Sequence, residues 1–471
     1  MCVSGLLSVY CENGAQGVAA ANKGKTDMKN RTVGTLTYTA TGLGILFFWL
    51  LLGDFAIMMR ERAAFPSVME LLRQHHASDT TMSILFSALP AIIGIFLGPI
   101  ISYKSDRYRS RWGRRIPFLI IPTPIGALAM VGIGCCPWIG TQLSNLLGSV
   151  SPGIDFCVLS LFCIFWIIFE CAVIITLAIF TGLINDVVPH GLLGRFYGCF
   201  RIVSLGAGII FNYWIFKLTE THLFEIFAGV GLLFGGGFVL MCLMVKEGDY
   251  PPPQAEEGAS SRGFFSNVKV YFVECFSHRY YVWIFAAWMF GFMSFYPFNT
   301  FAQWYGDSLG MSKTVFGKLT AISYAISLFL AFIVGWMVDR FSALRVSIAA
   351  LMLFIPTVIL GFVFVRDANS FGVVYVLHTV ISGFYWTASA ALPMVLFPKL
   401  RFAQFASANA LLVAISTVFL GFVQGPLLDY SGHNYRLTLL AASVISSVAL
   451  FSMLIVLRNY KALKEGTPPE Y

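Results

Sequence analysis

Apolar residues run along this chain in twelve long blocks, each close to the ~20 residues that an α-helix needs to cross a bilayer. Their bounds are roughly 36–59, 80–103, 116–138, 154–181, 197–217, 223–245, 280–302, 314–337, 345–365, 371–397, 404–428 and 434–457. Polar segments separate them. Inside the blocks the hydrophobic run is continuous, without the ~10-residue alternation that marks a membrane β-barrel. The pattern predicts an all-α membrane protein with twelve transmembrane helices in two six-helix halves.

Composition supports the bilayer as solvent. The 471 residues are 58% hydrophobic and only 11% charged, against about 25% charged in a soluble domain. Too little polar surface exists to cover a water-soluble globule of this size. Charge placement supports the even count of spans. With both termini in the cytoplasm, all but eight of the 31 Lys and Arg fall on the inner side or in the inner quarter of a span. The eight are Arg60, Arg62, Arg73, Lys217, Lys313, Lys318, Arg366 and Arg436. An odd count would scramble this positive-inside bias. The net charge of +8 is therefore a topology signal, and no nucleic-acid partner is expected.

The spans divide six and six around 246–279. That segment opens with Pro251, Pro252 and Pro253 and a polar run, a solvated linker composition. Phe264, Phe265, Val268, Tyr271, Phe272, Cys275 and Phe276 then follow with helical spacing. They predict a helix lying in the inner membrane interface. The expected plan is a cytoplasmic tail over 1–33, a bundle over 34–245, the linker over 246–279, a second bundle over 280–460 and a cytoplasmic tail over 461–471. The first 33 residues do not read as a signal peptide. Leu6 to Tyr10 is too short an apolar core, and Lys23, Lys25, Lys29 and Arg31 follow it instead of preceding it. Met28 could be the true start. The ten cysteines show no ligand spacing and read as small packing residues, so no metal or cofactor is expected.

A charge inside a span costs a few kcal/mol or more unless it faces water or a partner, so such residues mark functional candidates. Glu170 lies mid-helix in span 4 with no other charge within a dozen residues on either side. Desolvation penalises its anion, which suits a group that takes up and releases a proton. Asp54 lies in span 1, outward of its centre. Arg201 sits about one turn into span 5, where it could pair with a span 4 carboxylate or snorkel to the inner headgroups.

Residues 102–118, Ser-Tyr-Lys-Ser-Asp-Arg-Tyr-Arg-Ser-Arg-Trp-Gly-Arg-Arg-Ile-Pro-Phe, hold six Lys or Arg between two apolar spans. Asp106-Arg107, five residues, Gly113-Arg114-Arg115 and then Pro117 is a specific pattern. With Gly53-Asp54-Phe55 and Asp186-x-x-Pro189 followed by Gly194-Arg195, it resembles the glycoside–pentoside–hexuronide cation symporters and sucrose–proton symporters, a branch of the major facilitator superfamily. The resemblance covers about residues 36–460. The halves also echo each other. Gly335-x-x-x-Asp339-Arg340 repeats Ser102-x-x-x-Asp106-Arg107, and Pro398 with Gln404-Phe405 repeats Pro189 with Arg195-Phe196. Ser102 stands where the family usually has Gly, the second copy lacks the Gly-Arg-Arg tail, and Gln404 replaces Arg.

The resemblance implies the major facilitator fold and a cytoplasmic gate built from Asp106, Arg107, Gly113, Arg114, Arg115, Asp186, Arg195, Asp339 and Arg340. Asp106 could rest against the positive dipole end of helix 11, while Arg107 and Arg115 pair with a carboxylate such as Asp186. It also raises Asp54, because this branch often uses helix 1 for cation or substrate contacts. A sugar needs amides and flat aromatic faces. Asn299 and Gln303 share a face of span 7, where Pro297 can break the helix, and His378, Tyr385, Trp386 and Gln424 offer the rest. Trp283 and Trp304 fit the interfacial aromatic belt equally well.

The expected protein is a proton-coupled sugar or glycoside symporter of the cell membrane, working by alternating access as a monomer, with sodium as the other possible coupling ion. An exporter or drug–proton antiporter on the same fold is the alternative. A receptor would need a signalling module for which the tail and linker leave no room. Neither a nucleophile–base spacing nor a phosphate loop supports an enzyme.

Overall fold

A computed structural model of the chain describes residues 32–189, 192–249, 273, 275–397 and 402–464. The side chains at 194, 195, 394, 402, 403 and 461–464 are likewise outside the description. The expected interfacial helix and both tails fall almost wholly outside the described residues.

Twelve helices among them are long and apolar enough to cross a membrane. They are α1 (Ala40–Gln74), α2 (Asp79–Arg107), α3 (Ile116–Val150), α4 (Ile154–Val187), α5 (Phe196–Glu220), α6 (Leu223–Met244), α7 (Arg279–Ser308), α8 (Lys313–Phe341), α9 (Ala343–Phe364), α10 (Ala368–Ser389), α11 (Gln404–Tyr430) and α12 (Arg436–Tyr460). A small hairpin precedes them, β1 (Thr32–Val33) pairing antiparallel with β2 (Leu36–Thr37). The chain forms two compact units that divide at residue 253, except that residues 86–91 of α2 group with the second. In the first unit α1 packs on α5 and α6, and α3 packs on α4 and α6. In the second α12 packs on α7 and α9, while α10 packs on α8 and α9.

Helix α1 departs most from expectation. Thr39 caps it, its hydroxyl accepting from the Gly42 N–H at 3.0 Å. It then runs far past the expected end near residue 59. The segment beyond Arg60 is rich in Ala, Leu, Met, Glu and Arg, all strong helix formers. Its Ala63, Val68, Met69, Leu71 and Leu72 are fully buried. Burial there outweighs the charges that suggest an aqueous end. At the far end, His75 Nδ1 lies 2.8 Å from Asp155 Oδ1, tying α1 to the first turn of α4.

Two prolines reshape helices in ways that the neighbours repair. In α2 the turn Ile84–Ala88 is wide, with i→i+5 bonding, immediately before Pro90. Proline has no N–H and its ring clashes with the carbonyl four residues back. An i→i+5 bond from the Leu85 carbonyl would need the missing Pro90 N–H. The Trp166 indole of α4 donates to that carbonyl instead, at 3.0 Å. In α7 the helix stops at Met293 and restarts at Tyr296, with Pro297 in the first turn of the second piece. Gln424 of α11 donates to the Pro297 carbonyl at 2.7 Å. The second piece leads into a turn at Gly310, and the buried Lys313 there pairs with Asp307 at 2.5 Å.

Asp367 caps α10, accepting from the Ser370 and Asn369 N–H groups at 2.9 and 2.8 Å in a full capping box. Those bonds, the one from Ser370 foremost, hold its carboxyl below the usual carboxylate range.

Helices α3 and α4 approach each other closely at Gly140. A Cβ on Gly140 would lie 2.4 Å from Val158 Cγ2 and 2.9 Å from the Val158 backbone. Gly140→Ala must therefore push the two helices apart, at a cost of about 1–3 kcal/mol. Gly229→Ala in α6 meets nothing within 4 Å and should leave stability unchanged or slightly raised. Thermal unfolding of both variants in detergent, followed by size-exclusion fluorescence, should show a lower midpoint for Gly140→Ala alone. Equal midpoints would contradict the close approach.

Candidate functional site

The first unit holds two charge clusters, one at the α2–α3 loop and one among α1, α4 and α6. At the loop, Asp186 near the end of α4 gathers two arginines. Arg114 grips it with both forks, Nη2 to Oδ1 at 2.6 Å and Nε to Oδ2 at 3.0 Å. Arg115 Nε reaches Oδ2 at 3.0 Å. Arg115 continues to Asp106, Nη2 to Oδ1 at 2.6 Å, and to the buried Ser105 hydroxyl at 3.0 Å. Its guanidinium lies against Gly182 of α4, where a Cβ would approach Cζ to 3.0 Å. A bidentate arginine–carboxylate pair in a partly dry setting is among the stronger charged contacts a protein makes. The chain Asp106–Arg115–Asp186–Arg114 thus fastens the end of α2 and the start of α3 to the end of α4.

The glycine of this motif has its own reason. Gly113 sits at φ +100°, a conformation that side chains rarely adopt. A Cβ there would also stand 2.4 Å from Glu247 Cδ. Glu247 follows α6, and its carboxylate accepts from three successive backbone N–H groups. Arg114 N reaches Oε2 at 3.0 Å, while Arg115 N and Ile116 N reach Oε1 at 2.8 and 2.7 Å. The first N–H groups of a helix have no partner within it, and a negative charge is favoured at that end. Glu247 supplies both needs of α3 from a distant part of the chain.

The other motif residues differ. Arg107 lies over the Tyr103 ring at 3.9 Å; the expected pairing of Arg115 with Asp186 is present, joined by Arg114. Asp339 and Arg340 are exposed at the end of α8. The side chain of Arg195 and residue Pro398 lie outside the described residues.

The second cluster centres on Arg60 of α1, which is only 5% exposed. Its guanidinium sits between Phe169 of α4 and Phe234 of α6, 5.8 and 5.6 Å from the ring centres, a stabilising arrangement in a desolvated site. Glu170 interacts electrostatically with Arg60 and Glu61. Among described side chains, Arg60 is the cation that acts electrostatically on Glu170; Arg201 is half-buried on α5. Asp54, fully buried on α1, interacts with Glu61 two turns on. Neither Asp54 oxygen has a hydrogen-bond partner among the described residues. Buried polar atoms are rarely left so.

In the second unit the predicted solute residues separate. Asn299 is exposed, while Gln303 on the same face of α7 is buried. His378 is fully buried in a box of Phe298, Phe354 and Phe295, with ring centres 4.5, 5.1 and 6.1 Å away. Tyr385 turns its hydroxyl onto Gly291, where a Cβ would come within 2.0 Å of it. Trp386 stacks edge-on with Phe292 and is half-buried. Gln424 is committed to the broken α7.

Arg60, Glu61 and Glu247 were missed by sequence reasoning. Arg60-Glu61-Arg62 reads as a helix end, and Glu247 reads as the start of a solvated linker. The available signal was the helix-forming run after Arg62, which no turn residue interrupts before Pro66.

Solved structures share this fold at low sequence identity. A bacterial homologue of the human lysosomal transporter Spinster, inward-facing and unoccupied, superposes with TM-score 0.65 at 14% identity, covering 92% of this chain and all of that one. The nucleoside transporter NupG gives 0.61 at 13%, with 88% and 99% covered. A D-xylose–proton symporter gives 0.62 at 17%, with 88% and 97% covered. Among curated proteins none matches in sequence. Residues 71–416 match the MFS_1 like family, and on that match the chain belongs to this family of major facilitator membrane transporters.

Proposed function

We propose that this transporter is a proton-coupled symporter of a sugar or glycoside, resident in the cell membrane with both termini and the 246–279 linker in the cytoplasm. It acts as a monomer by alternating access and needs no cofactor beyond the coupling ion. The observation that carries the reading is the closed ionic chain Asp106–Arg115–Asp186–Arg114, formed by a loop with the long spacing of the sugar-symporter branch. One solved neighbour is a D-xylose–proton symporter by its description. Others are described as a nucleoside transporter and as a transporter in complex with a conjugated peptide, so the solute class rests on the loop.

In this reading the ionic chain stabilises one orientation of the transporter and yields when the halves rock. Coupling resides in the Arg60 cluster. Arg60 acts electrostatically on two carboxylates, Glu61 and Glu170. When Glu170 faces the guanidinium, its anion is stabilised and its proton leaves. When helix movement turns Glu170 away, the hydrocarbon surroundings favour proton uptake. Proton affinity then depends on conformation, which is what coupling requires. Asp54, a carboxyl with no hydrogen-bond partner among the described residues, is the second cation site. Asn299 and Trp386 lead the solute contacts, with Gln303, His378, Tyr385 and Gln424 shaping the wall behind them.

Uptake into proteoliposomes across a sugar panel, with pH and sodium gradients imposed separately, tests the whole reading. Acceleration by an inward proton gradient supports symport. Acceleration by the opposite gradient indicates an antiporter. A cysteine at Ser260 should react with an impermeant maleimide only from the cytoplasmic side; labelling from outside alone would invert the topology.

Glu170→Gln should abolish proton-driven accumulation and spare solute exchange, because the amide imitates the protonated acid. Asp54→Asn is the matched comparison. If Glu170→Gln still accumulates solute under a pH gradient, the proton site lies elsewhere. Asp106→Asn should slow transport while leaving equilibrium solute affinity within a few fold. Asp106 lies at the end of α2, on the order of 15 Å from the middle of the span at 1.5 Å per residue. Transport at the normal rate would take the gate role away from Asp106.

A further inference from the structure

Glu247 belongs to none of the motifs discussed above, yet both oxygens of its carboxylate are engaged. They accept from three consecutive N–H groups of residues that lie 131 to 133 positions earlier in the chain. Two of those residues are Arg114 and Arg115, whose side chains hold Asp186. The backbone on either side of Glu247 is fixed too. Val245 N bonds back to Met241 O at the end of α6. Asp249 N donates to Thr35 Oγ1 at 2.9 Å, and a Cβ on Gly248 would lie 2.8 Å from the same oxygen. Thr35 is in the turn of the β1–β2 hairpin. Residues 245–249 are therefore clamped between the hairpin and the start of α3.

We infer that Glu247 is a positioning residue of the gate: it sets the backbone of Arg114–Ile116 so that both arginines present their guanidinium groups to Asp186. It also ties that loop to the first residues of the connection between the two halves. The inference rests on the gate reading of the Asp106 loop. Chemistry explains why the residue is a carboxylate. Three N–H donors converge, and the start of α3 adds the positive end of its dipole. A neutral side chain satisfies fewer donors and lacks the charge. Geometry explains why position 113 is glycine. Any side chain there occupies the place of the Glu247 carboxyl.

Full-length protein in detergent, with no solute added, tests this through two readouts. The first is amide hydrogen exchange resolved to single residues. Glu247→Ala should speed exchange at Arg114, Arg115 and Ile116 on the order of tenfold, the equivalent of one hydrogen bond, and leave the middle of α3 unchanged. Glu247→Gln retains one carbonyl oxygen. It should keep Arg115 and Ile116 protected and expose Arg114, whose N–H would face an amide donor. The second readout is modification of Arg114 and Arg115 by phenylglyoxal, quantified by mass spectrometry. Glu247→Ala should raise it to the level of Asp186→Asn, and the double variant should go no further. Gly113→Ala, which displaces the carboxyl without removing it, should reproduce both effects.

Faster amide exchange with unchanged arginine reactivity would mean that Glu247 only caps α3, and the inference falls. Unchanged exchange would refute the contact itself. If Glu247→Ala does not fold, the residue-by-residue pattern in Glu247→Gln and the behaviour of Gly113→Ala decide alone. Normal transport by Asp106→Asn would remove the gate reading while leaving these chemical outcomes standing, so the two failures are told apart.

Discussion

A charge taken out of water stays ionised only if protein groups replace the water that it lost. In a chain surrounded by hydrocarbon this constraint shapes the first six-helix unit throughout. Asp186 is solvated by two guanidinium groups, Glu247 by three backbone N–H groups, and Arg60 by two aromatic faces. Each solution draws on segments far apart in sequence. The charged groups therefore fasten helices together as well as serving any chemistry of their own.

Helix α4 is where these solutions meet. It carries an acid near its start, its middle and its end, and each faces a different basic group. Asp155 meets His75 and Asp186 meets Arg114 and Arg115, while Glu170 lies in the electrostatic field of Arg60. The last two acids are about 24 Å apart at 1.5 Å per residue, yet they belong to one rigid rod. A tilt of α4 large enough to part Asp186 from its arginines also changes the surroundings of Glu170. A single helix thus links the surroundings of the two acids.

The second unit is built on different chemistry. Asp339 and Arg340, which echo Asp106 and Arg107, are exposed and lack the Gly-Arg-Arg partner sequence. Its interior has an aromatic wall formed by Phe295, Phe298, Phe354, Tyr375 and Tyr385 around His378. The broken α7 passes through this wall, and side chains such as Gln424 take up the backbone groups that the break releases. The two units thus differ in what lies buried within them, charged clusters in the first and flat rings with amides in the second.

Twelve spans, their order and the importance of the 102–118 loop were legible in the chain, because hydrophobic length and charge density are local properties that the bilayer reads directly. The break near Pro297 was legible for the same reason: a missing N–H is written in one residue. Apart from Arg115 with Asp186, the partners were not. That Arg60 acts on Glu170, that Asp186 holds Arg114 as well as the expected Arg115, and that Glu247 seats the start of α3 depend on which helix faces which. Pairings between residues so far apart in the chain are set by helix packing, and nothing in local composition encodes them. The reach of α1 to Gln74 shows the same limit, since three charges in a row read as an aqueous end until neighbouring helices bury them.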